Sequence, residues 1–329
     1  MKPISNKKYL VIFLTIFLFL FTANSITTWF IGTPQGDLVR IGKYSENQFA
    51  YQAPNQSTTL KNQPFAQIMV LGDSFSRPHI WQTQIAQITK MDVATYDYHD
   101  VGCPANFFTW LKQEAKPTLI IIEVVERMFP QFPESRICPK IIPKIRIAEV
   151  PENFNLEKSF KKAFQQDLFF NIPATYNTLK SNSSKSINSG KVINAPLNRS
   201  DLFTNSKSNR LLYLKDDLNK FKWSNQEIQS SVDGLLNLKQ HLQTQGIELM
   251  VIIVPDKLSV YEDDLIEGPQ QPESIHDYLQ KIQLSPLNLK NEFKKMRLQQ
   301  KNLYAPNDSH LSVEGYQLLG QLIAQKIKH

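Results

Sequence analysis

Apolar positions along the chain form short runs that alternate with amphipathic stretches. The runs have the length and the β-branched content of buried strands. The order strand, helix, strand, helix, strand in residues 67–127 predicts a parallel sheet with helices on both faces. The predicted strands are residues 68–71, 93–98, 119–125 and 249–254, with a short last strand at Leu303 and Tyr304.

Helices are predicted where the strand pattern stops. Ser312 can cap a C-terminal helix, and Pro104 favours a helix start because proline is preferred in a first turn. An amphipathic stretch ends near Gly246. The predicted helices are residues 78–88, 104–115, 225–245, 274–282, 289–300 and the stretch after Ser312.

The regular pattern is interrupted between residues 128 and 224, which are rich in Pro, Asn, Ser and Lys. We interpret this region as a large insertion that contains a helix at residues 156–169 and a mobile Ser/Asn tract at 180–191. Residues 32–64 are polar and are predicted to form a linker. The predicted catalytic domain is therefore residues 65–329, interrupted by the insertion.

The N-terminus, residues 1–31, has the pattern of a signal anchor. Three lysines precede an apolar stretch from Tyr9 to Ile31, which is long enough to span a bilayer. Positive charge on this side favours a cytoplasmic N-terminus. Residues 23–25 are a candidate cleavage site, so a cleaved signal peptide is the alternative. Both alternatives predict export of the remainder, and an uncleaved anchor predicts a single-pass protein of the inner (plasma) membrane with a periplasmic domain.

The net charge of +7 is concentrated in residues 140–222, which hold 15 basic and 7 acidic residues. Outside the cytoplasm, a basic surface favours anionic glycans or lipid head groups as partners over nucleic acid. A solvated, lysine-rich insertion without a ligand is the alternative.

The chain contains two cysteines, Cys103 and Cys138. In an exported protein an even number of cysteines favours a disulfide, here between these two residues. Two unpaired buried thiols are the alternative. No metal-ligand spacing and no phosphate-binding glycine loop is present in the sequence, so we expect no metal and no cofactor.

The first candidate catalytic motif is "GDSFS", which directly follows the first predicted strand. Ser74 lies at a glycine-marked turn, where it is either a helix cap or a nucleophile held over the sheet edge. Asp308 and His310 precede the last helix, and together they supply the base that a serine nucleophile requires. Asp73 is expected to brace the turn through hydrogen bonds to backbone. His99 and Asp100 form an alternative acid–base pair.

These residues resemble the SGNH/GDSL hydrolase superfamily, through "GDSFS" and "NDSHLSVEGY". Within it, "IIIEVVERMF" and "VIIVPDKLSVYEDDL" are similar to the alginate O-acetyltransferase branch, the AlgX/AlgJ-like proteins. The resemblance covers residues 65–127 and 248–328. It implies an α/β, flavodoxin-like three-layer SGNH fold with a central parallel sheet, to which this chain adds the insertion and an N-terminal transmembrane helix.

The resemblance implies roles for individual residues. Ser74 would be the nucleophile, His310 the base and Asp308 its orienting acid. The backbone N–H groups of Ser74 and Gly102 would form the oxyanion hole. Arg127 is a candidate for binding acetyl oxygen or a substrate carboxylate, and an ion pair with a neighbouring glutamate is the alternative.

The chain departs from the superfamily pattern in three ways. The Gly-x-Asn-Asp block is absent, and Glu123, Glu126 and Arg127 stand after the third strand instead. The acid and base are spaced Asp-x-His where the superfamily prefers Asp-x-x-His. This pair follows the serine in the chain, whereas alginate acetylation proteins often place it before the serine.

The resemblance implies a membrane-anchored exported O-acyltransferase, transferring acetyl groups to hydroxyls of an extracytoplasmic polysaccharide through an acyl-serine. It also implies that a membrane acyltransferase supplies the donor. An esterase or deacetylase that uses the same triad is the first alternative. A catalytically idle glycan-binding scaffold is the second.

Overall fold

A computed structural model describes residues 6–54, 65–101, 107, 117–131, 168–180, 185–269 and 274–328. The strands are β1 (Ile68–Gly72), β2 (Val93–Asp97), β3 (Leu119–Val125), β4 (Ile187–Ser189), β5 (Val192–Pro196), β6 (Arg210–Leu214) and β7 (Glu248–Val254). The α-helices are α1 (Asn6–Ile31), α2 (Asp37–Gly42), α3 (Glu46–Phe49), α4 (Ile80–Thr89), α5 (Tyr98–Val101), α6 (Leu168–Lys180), α7 (Asn225–Gln243), α8 (Lys257–Tyr261), α9 (Ile275–Lys281), α10 (Leu289–Met296) and α11 (Val313–Ile327). Short 3₁₀ helices cover Glu126–Gln131, Lys215–Lys222 and Glu262–Asp264.

The central sheet is parallel, with strand order β2-β1-β3-β7. Gly72 lies beside Asp97, and Val125 lies beside Val254, so the carboxyl ends of all four strands form one edge. The predicted parallel sheet is thereby confirmed. The edge at the carboxyl ends is where open α/β sheets build their binding sites.

Helices cover both faces of this sheet and make it the middle of three layers. On one face α4, α10 and α11 bury apolar side chains against Ile68, Val70 and Ile121. On the other face α7 and α9 cover Met69 and Ile120. This arrangement confirms the predicted α/β class.

The region predicted as an insertion contributes to the body of the protein. β4, β5 and β6 form an antiparallel sheet, and Leu211 and Tyr213 of β6 are buried in the same core as β1. β4 lies within the Ser/Asn tract that was expected to be mobile, because Asn188 pairs with Ile193 in a hairpin. The helix predicted at 156–169 lies outside the described residues up to 167, as does the one at 104–115 apart from Phe107.

The prediction of a linker at 32–64 is wrong for the described residues 32–54. α2 and α3 pack on β5 and β6 through Leu38, Val39, Tyr44 and Phe49, all fully buried. The polar residues that suggested a linker are instead used in hydrogen bonds to the body. Residues 55–64 lie outside the described part.

The last predicted strand, at Leu303 and Tyr304, is a single antiparallel bridge between Tyr304 and Leu311. The chain turns back within this bridge, since Ala305 N–H donates to the His310 carbonyl. The bridge closes a short loop, and this loop carries Asp308 and His310.

The N-terminal helix α1 is 26 residues long, about 39 Å at 1.5 Å per residue. Residues Lys7–Ile31 are long and apolar enough to cross a membrane, by length and composition. The C-terminal part of α1 packs against α6, through Asn24 and Thr28.

Candidate active site

The turn after β1 holds Ser74 at the carboxyl edge of the sheet. A Cβ on Gly72 would lie 2.0 Å from Ser76 Oγ and 2.8 Å from Glu123 Oε2, so only glycine fits there. Asp73 Oδ1 accepts a hydrogen bond from Phe75 N–H, and its Oδ2 accepts one from Val125 N–H. Asp73 thus braces the turn against β3, as the sequence predicted.

Glu123 of β3 also holds this turn in place through hydrogen bonds. Its Oε2 accepts hydrogen bonds from Ser76 Oγ at 2.7 Å and from Asp73 N–H at 3.2 Å. Burial, followed by the charge of Asp73, raises the pKa of Glu123 well above its usual value. A protonated Glu123 avoids placing a second negative charge under the nucleophile turn.

The structure brings Ser74, His310 and Asp308 together. His310 Nε2 lies 2.9 Å from Ser74 Oγ, and His310 Nδ1 lies 2.6 Å from Asp308 Oδ1. The Phe75 ring packs on the imidazole, with 4.8 Å between the ring centroids. The two ring nitrogens therefore face a hydroxyl and a carboxylate, the arrangement required of a general base and its orienting acid.

The pKa shifts of His310 and Asp308 fit the roles of base and orienting acid. Burial acts to lower the pKa of His310, but the hydrogen bond and charge of Asp308 outweigh it and raise this pKa above its usual value. Burial likewise acts to raise the pKa of Asp308, and contacts with His310 lower it overall. Asp308 is therefore ionised at neutral pH, and it stabilises the imidazolium.

A second carboxylate, Asp37, lies behind the pair. Asp37 N–H donates to Asp308 Oδ2 at 3.0 Å, while its own carboxylate accepts from Ser309 N–H at 2.7 Å and Ser309 Oγ at 2.5 Å. Asp37 Oδ2 lies 4.0 Å from His310 Nδ1. The start of α2 and the loop that carries Asp308 are thus joined by reciprocal hydrogen bonds.

A buried lysine holds the same loop from the other side. Lys257 Nζ donates to the carbonyls of Ala305, Pro306 and Asp308 at 2.7, 3.1 and 3.0 Å. An ammonium has three N–H donors, and the loop uses all of them. Burial lowers the pKa of Lys257 to about 7.

A cleft of about 500 Å³ opens above the triad. Its walls come from the N-terminal segment, the turn after Ser74 and the start of α11. Arg77 lies at its rim, 43% exposed, with Nε 2.5 Å from Asp97 Oδ2. Besides the triad, the lining residues include Gln35, Gly36, Tyr51, Ile80, Asn307 and Tyr316.

Among the described residues, Asp37, Asp308 and His310 are the one group of acidic and histidine side chains close enough to share a metal ion. His310 already uses both ring nitrogens on Asp308 and Ser74, and Asp37 is hydrogen-bonded to Ser309. These contacts fit a general base with its orienting acid better than a metal centre.

Residues 208–329 match the family model for the SGNH hydrolase-like domain of acetyltransferase AlgX. This C-terminal part of the chain is similar to the SGNH hydrolase-like domain of the AlgX family. This confirms the resemblance and, with the parallel sheet, the SGNH fold. The matched range contains Asp308 and His310, whereas Ser74 lies before it. No curated protein and no solved structure matches the chain.

Arg127 is not among the residues that line the cleft. Its Nη1 lies 2.8 Å from Asp256 Oδ1 and 3.7 Å from Asp217 Oδ1. An ion pair was the alternative interpretation of Arg127, but the partners are aspartates rather than a glutamate.

The neighbouring Glu126 is fully buried and pairs with Lys220 Nζ at 3.2 Å. Burial acts to raise its pKa, but the charge of Lys220, together with hydrogen bonds from Ser259 Oγ and Asp256 N–H, outweighs this and lowers the pKa to about 2.

Three predicted residues of the SGNH domain lie outside the described part of the chain: Gly102, Cys103 and Cys138. The second oxyanion donor and the disulfide therefore stay predictions. The Ser74 N–H donates no hydrogen bond to any residue that the structure describes, so it is available to a ligand oxygen. Asp100 lies in α5, and the structure does not describe the side chain of His99.

Sequence reasoning missed Asp37 and Lys257 as parts of the SGNH site. Asp37 lies in a segment that resembles a linker, and no local pattern relates it to a loop 271 residues away. Lys257 was within the quoted "VPDKLSVY" stretch. Lys257 follows the buried strand β7 by three residues and precedes Leu258, and a lysine in such a position is a signal for a buried, paired side chain.

Proposed function

We propose that the protein is a membrane-anchored, exported O-acyltransferase that moves acetyl groups onto hydroxyls of an extracytoplasmic polysaccharide. The observation that carries the proposal is the contact of His310 with Ser74 and Asp308 at the base of an open cleft in an SGNH domain of the AlgX type. The long apolar helix α1 supports the anchor.

In the first half-reaction, Ser74 Oγ attacks the acyl carbonyl carbon of the donor. His310 Nε2 takes the hydroxyl proton, and Asp308 stabilises the resulting imidazolium. The negative charge on the carbonyl oxygen is directed to the Ser74 N–H, with Gly102 as the predicted second donor. Collapse of the tetrahedral intermediate releases the donor's leaving group, which receives the proton from His310, and an acyl ester of Ser74 remains.

In the second half-reaction, a sugar hydroxyl enters the cleft and gives its proton to His310 Nε2. The sugar oxygen attacks the acyl-serine carbonyl, and the ester bond to Ser74 breaks. His310 returns the proton to Ser74 Oγ. The acyl donor is expected to come from a membrane acyltransferase, and a basic surface favours an anionic polysaccharide.

Hydrolysis is the second candidate, because His310 keeps 30% of its side chain exposed and water can reach it. An esterase would use the same first half-reaction, with water replacing the sugar in the second. An idle glycan-binding scaffold would use neither.

The test uses the full chain in detergent with a chromogenic acetyl ester, with and without polysaccharide acceptors. Wild type is compared with Ser74→Ala and with Ser230→Ala, which removes an exposed hydroxyl on α7. We expect Ser74→Ala to lose ester turnover by about 10³-fold or more, because the nucleophile is gone. Ser230→Ala is expected to match wild type.

Acetyl found on the polysaccharide, dependent on Ser74, supports the transferase. Release to water that no polysaccharide diverts supports the esterase. Equal rates for Ser74→Ala and wild type would refute catalysis by this triad.

A further inference from the structure

The helix α6 has two different faces. Asn171, Ala174 and Asn177 are buried on one face, which packs on the rest of the protein. Ile172, Tyr176 and Leu179 lie on the opposite face and are 63%, 56% and 66% exposed. Their spacing of four and three residues makes them one continuous apolar stripe.

This exposed face is unusual for a helix in contact with water. A surface helix normally turns charged and polar residues outward. In α6, by contrast, the charged residue is Lys180 at the C-terminal end. Its Nζ lies 4.4 Å from the centroid of the Tyr176 ring, so this charge makes a cation–π contact at the C-terminal end of the stripe.

The buried face of α6 fixes the helix against the outer part of α1. Asn171 Nδ2 donates to Asn24 Oδ1 at 2.5 Å and to Thr28 Oγ1 at 2.9 Å. Asn24 and Thr28 are polar residues in the apolar helix α1. Helices that pack within a lipid environment use such polar contacts across the interface.

The other end of α6 is attached to the catalytic body. Asn177 Nδ2 donates to the carbonyls of Gly42 and Lys43 at 3.2 and 2.9 Å, and to Ser189 Oγ at 3.0 Å. The N-terminal half of α6 therefore lies along α1, and the C-terminal half lies under α2 and β4.

The depth of α6 follows from the length of α1. About 20 helical residues cross a hydrocarbon core of about 30 Å, so a core that begins after Lys8 ends near Thr28. Asn171 contacts α1 at and just below this level. Trp29, which is 83% exposed, lies at the same level, where Trp and Tyr are enriched at membrane surfaces.

We propose that the Ile172–Tyr176–Leu179 face of α6 lies in the outer interface of the bilayer, in contact with lipid. The partner is a lipid surface because α6 packs directly on the apolar helix α1, whose side chains Ile26 and Trp29 are also exposed in this part of the helix. Burying such a stripe in lipid removes apolar area from water, and Lys180 at the end of the helix can extend its ammonium to the head groups. The protein is then attached to the membrane by a helix that crosses it and a second that lies on it.

This inference rests on the membrane anchoring proposed above, and the experiment separates the two. The photo-reactive residue p-benzoylphenylalanine replaces Tyr176 or Leu179 in the full chain, reconstituted in phosphatidylcholine–phosphatidylglycerol nanodiscs. Phe17 in α1 is the site that reports anchoring. Leu236, 39% exposed on α7 across the sheet from α10 and α11, is the matched control away from the membrane. Irradiation is followed by mass spectrometry of the adducts.

We expect lipid adducts at Tyr176 and Leu179 at least about tenfold above those at Leu236, because an interfacial helix contacts acyl chains directly. Lipid adducts at Phe17 without any at Tyr176 and Leu179 would leave the anchor intact and overturn the role of α6. Cross-links from Tyr176 to residues 132–167, or to a second copy of the chain, would overturn it equally, since protein would then cover the stripe. Absence of lipid adducts at Phe17 as well would refute both proposals.

Discussion

The carboxylate of Asp37 comes from the start of the chain to a site built mainly from its end. Its oxygen lies 4.0 Å from His310 Nδ1, and its negative charge is one of the contributions that raise the pKa of His310. Asp37 is hydrogen-bonded to Asp308 and Ser309 and lies close to His310, but it makes no hydrogen bond with Ser74 in the described part of the chain. We therefore regard it as a positioning residue.

Replacing Asp37 with asparagine is expected to move the acid limb of the pH–rate profile to lower pH. The base must be neutral to accept a proton, so the rate rises as pH rises through the pKa of His310. Removing a nearby negative charge makes the imidazolium less favourable and lowers that pKa. The maximal rate should fall by less than about tenfold, because proton transfer itself, worth about 10²–10⁴-fold, is retained.

The measurement is ester turnover in detergent between pH 5 and 9, roughly the range in which histidine titrates. Asp233→Asn removes an exposed carboxylate on α7, and its profile should overlay that of wild type. An Asp37→Asn profile that keeps its midpoint while the rate falls at every pH would contradict the electrostatic role.

At the scale of residues, the sequence predicts the catalytic residues of the site but not the residues that hold them in place. Ser74, Asp308 and His310 could be found because each lies in a short motif at the end of a strand or before a helix. Asp37 and Lys257 act through contacts that form only after folding. Asp37 has no local signature, and the position of Lys257 shortly after a buried strand indicates burial without naming its partners. The pairing of Arg127 with Asp217 and Asp256 depends in the same way on residues far apart in the chain.

At the scale of elements, the segment of residues 32–54 is the largest departure from the sequence-based prediction. The alternation of apolar runs identified the strands of the central sheet because such strands are buried on both faces. α2 and α3 have six and four residues, too few for a helical period to show. Their stability comes from packing on β5 and β6, which a local pattern does not contain.

At Gly36 the backbone of this segment packs closely against the loop that carries Asp308 and His310. A Cβ on Gly36 would lie 2.0 Å from the carbonyl oxygen of Asn307. Gly36→Ala should therefore push the segment off the loop, cost about 1–3 kcal/mol of overpacking and lower ester turnover by about tenfold or more.

The matched control is Gly190→Ala in the turn of the β4–β5 hairpin. Gly190 has φ of +60° and nothing within 4 Å of a Cβ, so alanine there is strained but meets no neighbour. It should lose about 1 kcal/mol of stability and retain full turnover. Urea unfolding and ester turnover of both variants provide the comparison, and equal turnover in the two variants would contradict the proposed contact.

At the scale of the whole molecule, the buried histidine His276 makes stability depend on pH. Burial lowers its pKa to about 4, against 6.5 for a free histidine. Between these values the unfolded chain binds a proton that the folded chain does not. The free energy of unfolding should therefore fall as pH drops from about 6.5 to 4, by about 3 kcal/mol from this group alone.

His276→Gln removes the titrating group and should flatten that part of the stability profile. His241→Gln, on the exposed surface of α7, should keep the wild-type slope. Urea unfolding monitored by circular dichroism at several pH values in this range measures both. A His276→Gln slope equal to that of wild type would show that other groups cause the acid sensitivity.

The intact molecule is also expected to keep its N-terminal helix. The candidate cleavage site at residues 23–25 lies within continuous helix, and Asn24 is covered by Asn171. Beyond it, Ser45 Oγ donates to the Ile31 carbonyl and Asn47 Nδ2 donates to that of Phe30, so the end of α1 is attached to the body. A signal peptidase requires an extended, accessible substrate.

The mass of the protein extracted from membranes should therefore equal that of the full chain. Wild type can be compared with Asn171→Leu, which removes the amide over Asn24 and should still be uncleaved if the attachment at Ser45 and Asn47 is sufficient. A wild-type product shortened at residues 23–25 would mean that α1 is a signal peptide.

The direct attachment of α2 to α1 has a consequence for where the enzyme can work. Asp37 follows Ile31 by six residues, which reach at most about 20 Å even when fully extended. With the anchor proposed above, the cleft stays at a nearly constant height over the bilayer, whereas a long flexible tether would let it wander. The enzyme would then search for acceptors in two dimensions, and it would modify a polymer in the thin layer next to the membrane while the rest of the chain passes out of reach.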